Sequence, residues 1–566
     1  MFLKITRSGP RQYLQLVEAF RDDVGKAKHR TLVTLGRLDQ LTDSLDSVIS
    51  GLLKVTGRPD FLNADLPAVE FESARALGNV WALNELWQSL GFGELRRVFR
   101  KTRHNIDVEA LLRTMVFNRL CDPESKLGVL RWLETVAMPD VDVASVSHQH
   151  LLRSMDALMD HQADVDAVVA GLLRPLIDQE LSVVFYDMTT IRAEGLSEID
   201  GDVRQFGMAK EGMIARQFML GVVQTGDGLP IYHEVFDGNT AEGPTLLPTL
   251  KTVLARFPSI RRGVLVADRG LLSLDNLEAL SAIRLDSGEP LEFVLAVPGR
   301  RYGEFVDLLR PFHDSLCVDS TEEAIGELSW RDLRLVVAHR PDVAAEQGKV
   351  RRERMASLEQ QAAAWAGKLD AQDTGARARG RKLSDSGAKA RFYHAVREAH
   401  LAHILRIDMK GELFSYSVDA DALASAELMD GKLLLVTNVK DLKPADVVLR
   451  YKALADIERG FRVLKSEIEI GPVFHRLPQR IKAHASICFM ALVLYRVMRQ
   501  RLKAADSDLS PEQAIEQLQR IQHHQIRIHS SDKPVSGISR LSDIQSRVFE
   551  ALKLKKPSLP QQLPLL

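Results

Sequence analysis

Residues 181–191 read LSVVFYDMTTI, and residues 262–270 read RGVLVADRG. Each is a short run of apolar, β-branched and aromatic residues that carries an aspartate near its end, Asp187 in the first and Asp268 in the second. Such runs are the pattern of strands buried on both faces. An acid at the end of a buried strand is costly unless it is paired or binds a cation. Two such strands in one sheet would bring both carboxylates to one edge. Each aspartate taken singly could instead cap a helix or a loop. The shared pattern weighs against that reading.

Outward from these runs the chain alternates in a regular way. QFMLGVVQT (217–225) and LPIYHEVFDG (229–238) are strand-like and are joined by a Gly-Asp-Gly turn. PTLLPTLKTVLARF (244–257) and SLDNLEALSAI (273–283) have helical spacing, and LEFVLAV (291–297) is another buried strand. The order β-β-β-α-β-α-β predicts an α/β fold, a mixed sheet with helices on its faces. Residues 300–440 break this regularity. Strand-like pieces at 333–339, 403–408, 412–418 and 432–439 flank an Ala-rich helical stretch near 343–372 and a polar run. They read as an insertion that does not continue the first sheet.

A third acid, Glu458, lies in YKALADIERGFRVLK (451–465). Leu454, Ile457, Phe461, Leu464 and Ile468 recur at three- and four-residue steps and form a core stripe of one helix. Tyr451, Glu458 and Lys465 are spaced by seven and share a face, with Arg462 beside them. A carboxylate among cations is either a surface ion pair or a metal ligand flanked by phosphate-holding groups. Carboxylate-rich ligation suits Mg²⁺ or Mn²⁺, and two such ions would clamp an in-line phosphoryl displacement.

Before residue 181, 11–38 read as a hairpin around a polar turn, and 73–180 as a helical module. The whole chain has 566 residues, 45% hydrophobic and 27% charged, which excludes a mostly disordered polymer. Three well-separated cysteines exclude a disulfide framework. MFLKITRSGPRQYLQL lacks the apolar region of a signal peptide, so a cytoplasmic location is expected. ASICFMALVLY (485–495) is shorter than the roughly 20 residues of a membrane span and reads as a buried helix.

Net charge is −1, which as a single total argues against a nucleic-acid partner. By segment it divides. Residues 156–202 hold eleven acids and two bases, while 376–397 hold seven bases and one acid, and 476–503 seven bases and no acid. The two basic runs are candidate phosphate-contacting surfaces.

These residues resemble the insertion-sequence transposases with an RNase H-like DDE core, and more narrowly the class with a Y-x2-R-x3-E-x6-K signature. Tyr451, Glu458 and Lys465 keep that spacing, while Leu454 stands at the Arg position. FYDMTT around Asp187 and VADRGLLS around Asp268 resemble the first and second acidic motifs. GMAK (207–210), DGLPIYHEVFDGNT (227–240) and RIKAH (480–484) are similar to that family's surroundings.

The resemblance implies a DNA transposase in which Asp187, Asp268 and Glu458 hold two Mg²⁺ or Mn²⁺ ions. Water would cut at the element's end, and the freed 3′ hydroxyl would attack target DNA. Tyr451, Arg462, Lys465, Lys210, Arg480 and His484 are the implied DNA contacts. Structural packing is an equal reading for Arg480 and His484, and a solvated side chain for Lys210. The implied partners are double-stranded DNA (terminal inverted repeats and target) and a second copy of the chain on paired ends, with no membrane. A DNA-binding derivative that no longer cuts and an RNase H-like nuclease are the alternatives. A phosphohydrolase fits less well, because the position two residues after Asp187 is Thr189. The expected organisation is a β-hairpin region over 1–65 and a helical, DNA-binding module over 66–180. A catalytic core over 181–299 and 441–505 follows, split by a β-rich insertion over 300–440. A helical region and tail over 506–566 ends the chain.

Overall fold

The computed structural model describes residues 1–23, 26–41, 47, 55–56, 69–100, 106–177, 182–195, 199–208, 214–271, 273–317, 321–374, 382–528 and 534–558. The chain divides into two compact units. The smaller comprises Met1–Ser73 and His524–Gly537. Its strands β1 (Phe2–Ser8), β2 (Arg11–Arg21) and β3 (Ala27–Arg37) form one antiparallel sheet, so the expected hairpin gains a strand on its N-terminal side. Within the same unit Arg527 ion-pairs with Glu72, and Ser73 Oγ donates to Gln525 Oε1 at 3.2 Å.

The larger unit comprises Ala74–His523 and Ile538–Leu566. Its first part is helical: Gly78–Ser89, Leu95–Phe99, Val108–Cys121, Lys126–Thr135, His148–Asp160 and Gln162–Leu173. Side chains of Asp107, Ser125 and Ser147 accept backbone N–H bonds at three of these helix starts, the usual N-cap arrangement. Helices Val108–Cys121 and His148–Asp160 pack on Pro478–Ala504. That last helix carries the apolar run 485–495, and it is long and apolar enough to cross a membrane; here it is enclosed by the fold.

The sheet has nine strands. In chain order they are β4 (Ser182–Arg192), β5 (Gln205–Met208), β6 (Ile214–Thr225), β7 (Pro230–Asp237), β8 (Gly263–Ala267), β9 (Glu292–Ala296), β10 (Ala324–Trp330), β11 (Leu333–His339) and β12 (Lys432–Thr437). Across the sheet they run β10-β11-β12-β9-β8-β4-β6-β5, with β7 also on β6. β4, β8 and β9 are mutually parallel and the other pairings antiparallel. All five residues of β8 are buried, as expected of a central strand covered on both faces. This is the RNase H-like mixed α/β architecture.

Two expectations change. Residues 300–440 do not stand apart from the first sheet, because β10, β11 and β12 extend it. What leaves the sheet is the stretch between β11 and β12. It holds helices Pro341–Asp373, Asp385–Glu398 and Ala420–Met429 and the pair Leu405–Ile407/Tyr416–Val418. This stretch has its own core of Leu358, Phe392, Val396, Leu401 and Ile404. The second change is at 451–468, which is not one helix. Helix Pro444–Lys452 ends, the chain turns at Ala453 and Leu454, and helix Ala455–Ser466 begins. Leu454 N bonds Tyr451 O at 2.9 Å and Ile457 N bonds Leu454 O at 2.9 Å, three-residue closures that tighten the backbone where Leu454 turns into the core. The expected stripe Leu454, Ile457, Phe461, Leu464 and Ile468 is buried throughout. Tyr451 and Glu458 therefore lie on successive helices.

Candidate active site

Alternation along β4 sorts its side chains. Tyr186 and Met188 point to the face covered by helix Glu242–Arg256, where the Tyr186 hydroxyl meets Thr245 Oγ1 at 2.7 Å. Asp187 points to the other face, with Phe185, Thr189 and Ile191. Phe185 is opposite Gln224 on β6, so Gln224 marks the same face as Asp187.

Helix Ala455–Ser466 covers that face, and Gly460 lets it do so. A Cβ on Gly460 would overlap Gln224 Nε2 and come within 3.0 Å of Arg496 Nη2. A glycine inside a helix costs about 1 kcal/mol relative to alanine, and here close approach to the sheet offsets that cost. Gly460 had no assigned role in the sequence reading. Its signal was a glycine set in the middle of a helical core stripe.

The two aspartates are brought into register by parallel pairing. Tyr186 pairs with Ala267, so the next residues, Asp187 in the middle of β4 and Asp268 just past the end of β8, lie side by side. Neighbouring strands are about 4.8 Å apart. The Asp187 side chain accepts from Met188 N at 2.7 Å. Asp268 accepts from the Tyr451 hydroxyl at 2.8 Å. Burial, and next the charge of Asp268, push the Tyr451 hydroxyl well above the ordinary phenol range, so it stays a donor at every pH near neutrality.

Glu458 is exposed on the covering helix. Among the described residues no three His, Cys, Asp or Glu side chains are grouped to hold a metal ion, so the three acids do not form a closed ligand set. The donor chemistry still fits a hard divalent cation. It is all oxygen, with two carboxylates on adjacent parallel strands and a third on the helix that packs on β4.

The remaining candidates scatter. Arg462 is exposed and Lys465 half-buried, both on helix Ala455–Ser466. Lys210 lies outside the described residues. Arg480 makes a two-pronged ion pair with Asp156, at 2.8 and 2.7 Å. His484 is buried, with Nε2 on Ile470 O at 3.0 Å. Asn239 follows the buried Gly238 at the end of β7 and is exposed, as a turn residue would be. The basic run 476–503 is not one surface: Arg496 is buried, and Arg501 Nη1 donates to Leu552 O at 2.8 Å. Of the run 376–397, Arg377, Arg379 and Arg381 lie outside the described residues, Lys389 is buried on Gly411 O, and Lys382, Arg391 and Arg397 are exposed.

Two family models match the chain. Residues 178–494 match the transposase DDE domain, and residues 3–65 match the N-terminal domain of the IS1634 family transposases. No curated protein matches. Among solved structures, similarity extends to a piggyBac transposase synaptic complex with hairpin DNA. The identity is 8% over 78% of each chain, with a TM-score of 0.38.

Proposed function

Since the chain belongs to the DDE transposases, whose domain spans residues 178–494, we propose that it cuts the ends of its own insertion sequence and joins them to target DNA through Asp187, Asp268 and Glu458. The observation that carries this reading is the parallel register that sets Asp187, within β4, beside Asp268, just past the end of β8. Asp187, Asp268 and Glu458 would hold Mg²⁺ or Mn²⁺, in the two-ion form. When bound, such ions supply Lewis acidity to the scissile phosphodiester and its attacking oxygen. Asp187 and Asp268 anchor the site on a rigid sheet, and Glu458 joins from the helix seated by Gly460. Tyr451 fixes the orientation of Asp268, and Arg462 and Lys465 lie on the same helix as Glu458 to hold DNA phosphates. Water attacks the phosphodiester at the element's end, leaving a 3′ hydroxyl on the element and a 5′ phosphate on the flank; that hydroxyl then attacks a target phosphodiester and releases the target's own 3′ hydroxyl. The Tyr451–Glu458–Lys465 spacing supports the Y-R-E-K class, with Leu454 as a departure. A second copy on paired ends and an intracellular location belong to the same proposal.

The test is strand cleavage of DNA that carries the element's terminal repeats, with Mg²⁺ or with chelator. Specific nicking that needs Mg²⁺ supports the proposal; none on any terminal-repeat substrate rejects it. The open arrangement of the three acids favours one second reading, a DNA-binding derivative that no longer cuts. Sequence-specific binding without nicking would establish that instead.

Two further outcomes are expected. Tyr451→Phe removes the hydroxyl held on Asp268. Loss of such a supporting bond costs about 10- to 100-fold in metal affinity or activity. The Mg²⁺ concentration for half-maximal cleavage should rise in that range, with the fold unchanged by circular dichroism. DNA affinity should also fall steeply with salt, by about a thousandfold between roughly 50 and 200 mM if six or more phosphates are neutralised. A flat salt titration in a binding assay would contradict phosphate contacts.

A further inference from the structure

A pocket of about 520 Å³ lies within the larger unit, where the chain at 469–477 meets the starts of helices Lys126–Thr135 and Pro478–Ala504. Its inner wall carries three buried bases, Arg119, Lys126 and His484, with 4%, 6% and 7% exposure. Arg119 is engaged by backbone carbonyls of Glu124, Ile468 and Glu469. His484 Nε2 is bonded to Ile470 O, and its Nδ1 has no partner. Lys126 Nζ has no hydrogen bond and no carboxylate within 4.0 Å among the described residues. The acids nearby are turned elsewhere: Asp156 to Arg480, and Glu124 toward Arg131 at 3.8 Å.

A buried ammonium without a counter-charge is costly. Burial, then Arg119, push Lys126 down to about 7. Burial, then Lys126 and Arg480, push His475 at the pocket wall down to about 4. The pocket wall also carries the carboxylates of Glu124 and Glu469, and neither neutralises Lys126. Arg476 stands exposed on the pocket wall, beside Leu477 at the start of helix Pro478–Ala504.

We propose that this pocket binds a phosphate group, with Lys126 Nζ as the central contact and Arg476 completing it. The phosphate belongs either to a DNA strand or to a free anion in solution. The chain at 469–477 is bonded to the end of β4, through Val473 N to Arg192 O at 3.0 Å and Glu194 N to Val473 O at 2.8 Å. Arg192 lies five residues beyond Asp187 on that strand, roughly 17 Å away.

The test is a ³¹P NMR titration of the full chain with inorganic phosphate, repeated with Lys126→Met and Arg476→Ala. Saturable binding that weakens tenfold or more in Lys126→Met and severalfold in Arg476→Ala is expected. Displacement of phosphate by a single-stranded oligonucleotide would assign the site to DNA, and its persistence would assign it to a free anion. No saturable binding, or binding unchanged in both variants, overturns the proposal. If Lys126→Met fails to fold, the rim variant Arg476→Ala decides. The site is separate from cleavage: Asp187→Asn should leave phosphate binding intact whatever it does to nicking.

Discussion

Asp187→Ala or Asp268→Ala should lower Mg²⁺-dependent end cleavage by about a thousandfold or more, equivalent to about 4 kcal/mol of transition-state stabilisation. Glu458→Ala should do the same. Asp187 and Asp268 follow the paired residues Tyr186 and Ala267 on adjacent parallel strands. They accept hydrogen bonds from Met188 N and from the Tyr451 hydroxyl, respectively, so removing one should lower thermal stability by only about 1 kcal/mol, while cleavage disappears. That combination separates loss of chemistry from loss of fold. Specific DNA binding by gel shift should persist. Wild-type cleavage rates in all three variants would remove these acids from the mechanism.

The second large effect concerns stability, in the helical part of the larger unit. Glu109 is 1% exposed and accepts from Trp87 Nε1 at 2.8 Å and Arg96 Nη2 at 3.2 Å. It also lies 3.4 Å from Nε of the fully buried Arg113, whose Nη1 donates to Asn84. Glu109→Ala leaves the Arg113 charge in the interior without its acid. Breaking a buried pair in this way costs about 3–5 kcal/mol. The urea midpoint should fall accordingly with little change in slope. Replacing both partners, as Glu109→Leu with Arg113→Met, should recover most of the loss. A single variant as stable as the parent would show that water reaches Arg113.

Strands β4 and β8 were legible because apolar runs ending in an acid are local signals, and both aspartates were named from them. The helical module and the apolar helix at 485–495 were legible for the same reason. What local pattern could not show was pairing at a distance. β11 and β12 read as fragments of an insertion, since only their hydrogen bonds across the sheet make them part of it. The turn at Ala453 and Leu454 was hidden because a core stripe runs through it unbroken. Tyr451 reaches Asp268 from a different helix than the seven-residue spacing suggested. The bases of 476–503 looked like a surface because charge was counted along the chain. Arg496 is in fact buried beside Gly460, and Arg480 is taken by Asp156 from more than three hundred residues away. Lys126 had no sequence signal, since its burial depends on a segment equally remote.

In the sheet, His339 at the end of β11 pairs with Lys432 at the start of β12. The chain thus departs and comes back at a single rung of the ladder. Much of what lies between those two residues packs on its own core, while helix Ala420–Met429 stays with the main body through Leu428 and helix Val306–Leu316. A change confined to the part with its own core leaves the strands next to the acids where they are. The enzyme therefore owns a modular socket in which new DNA- or protein-binding surfaces can be tried while the chemistry stays in place.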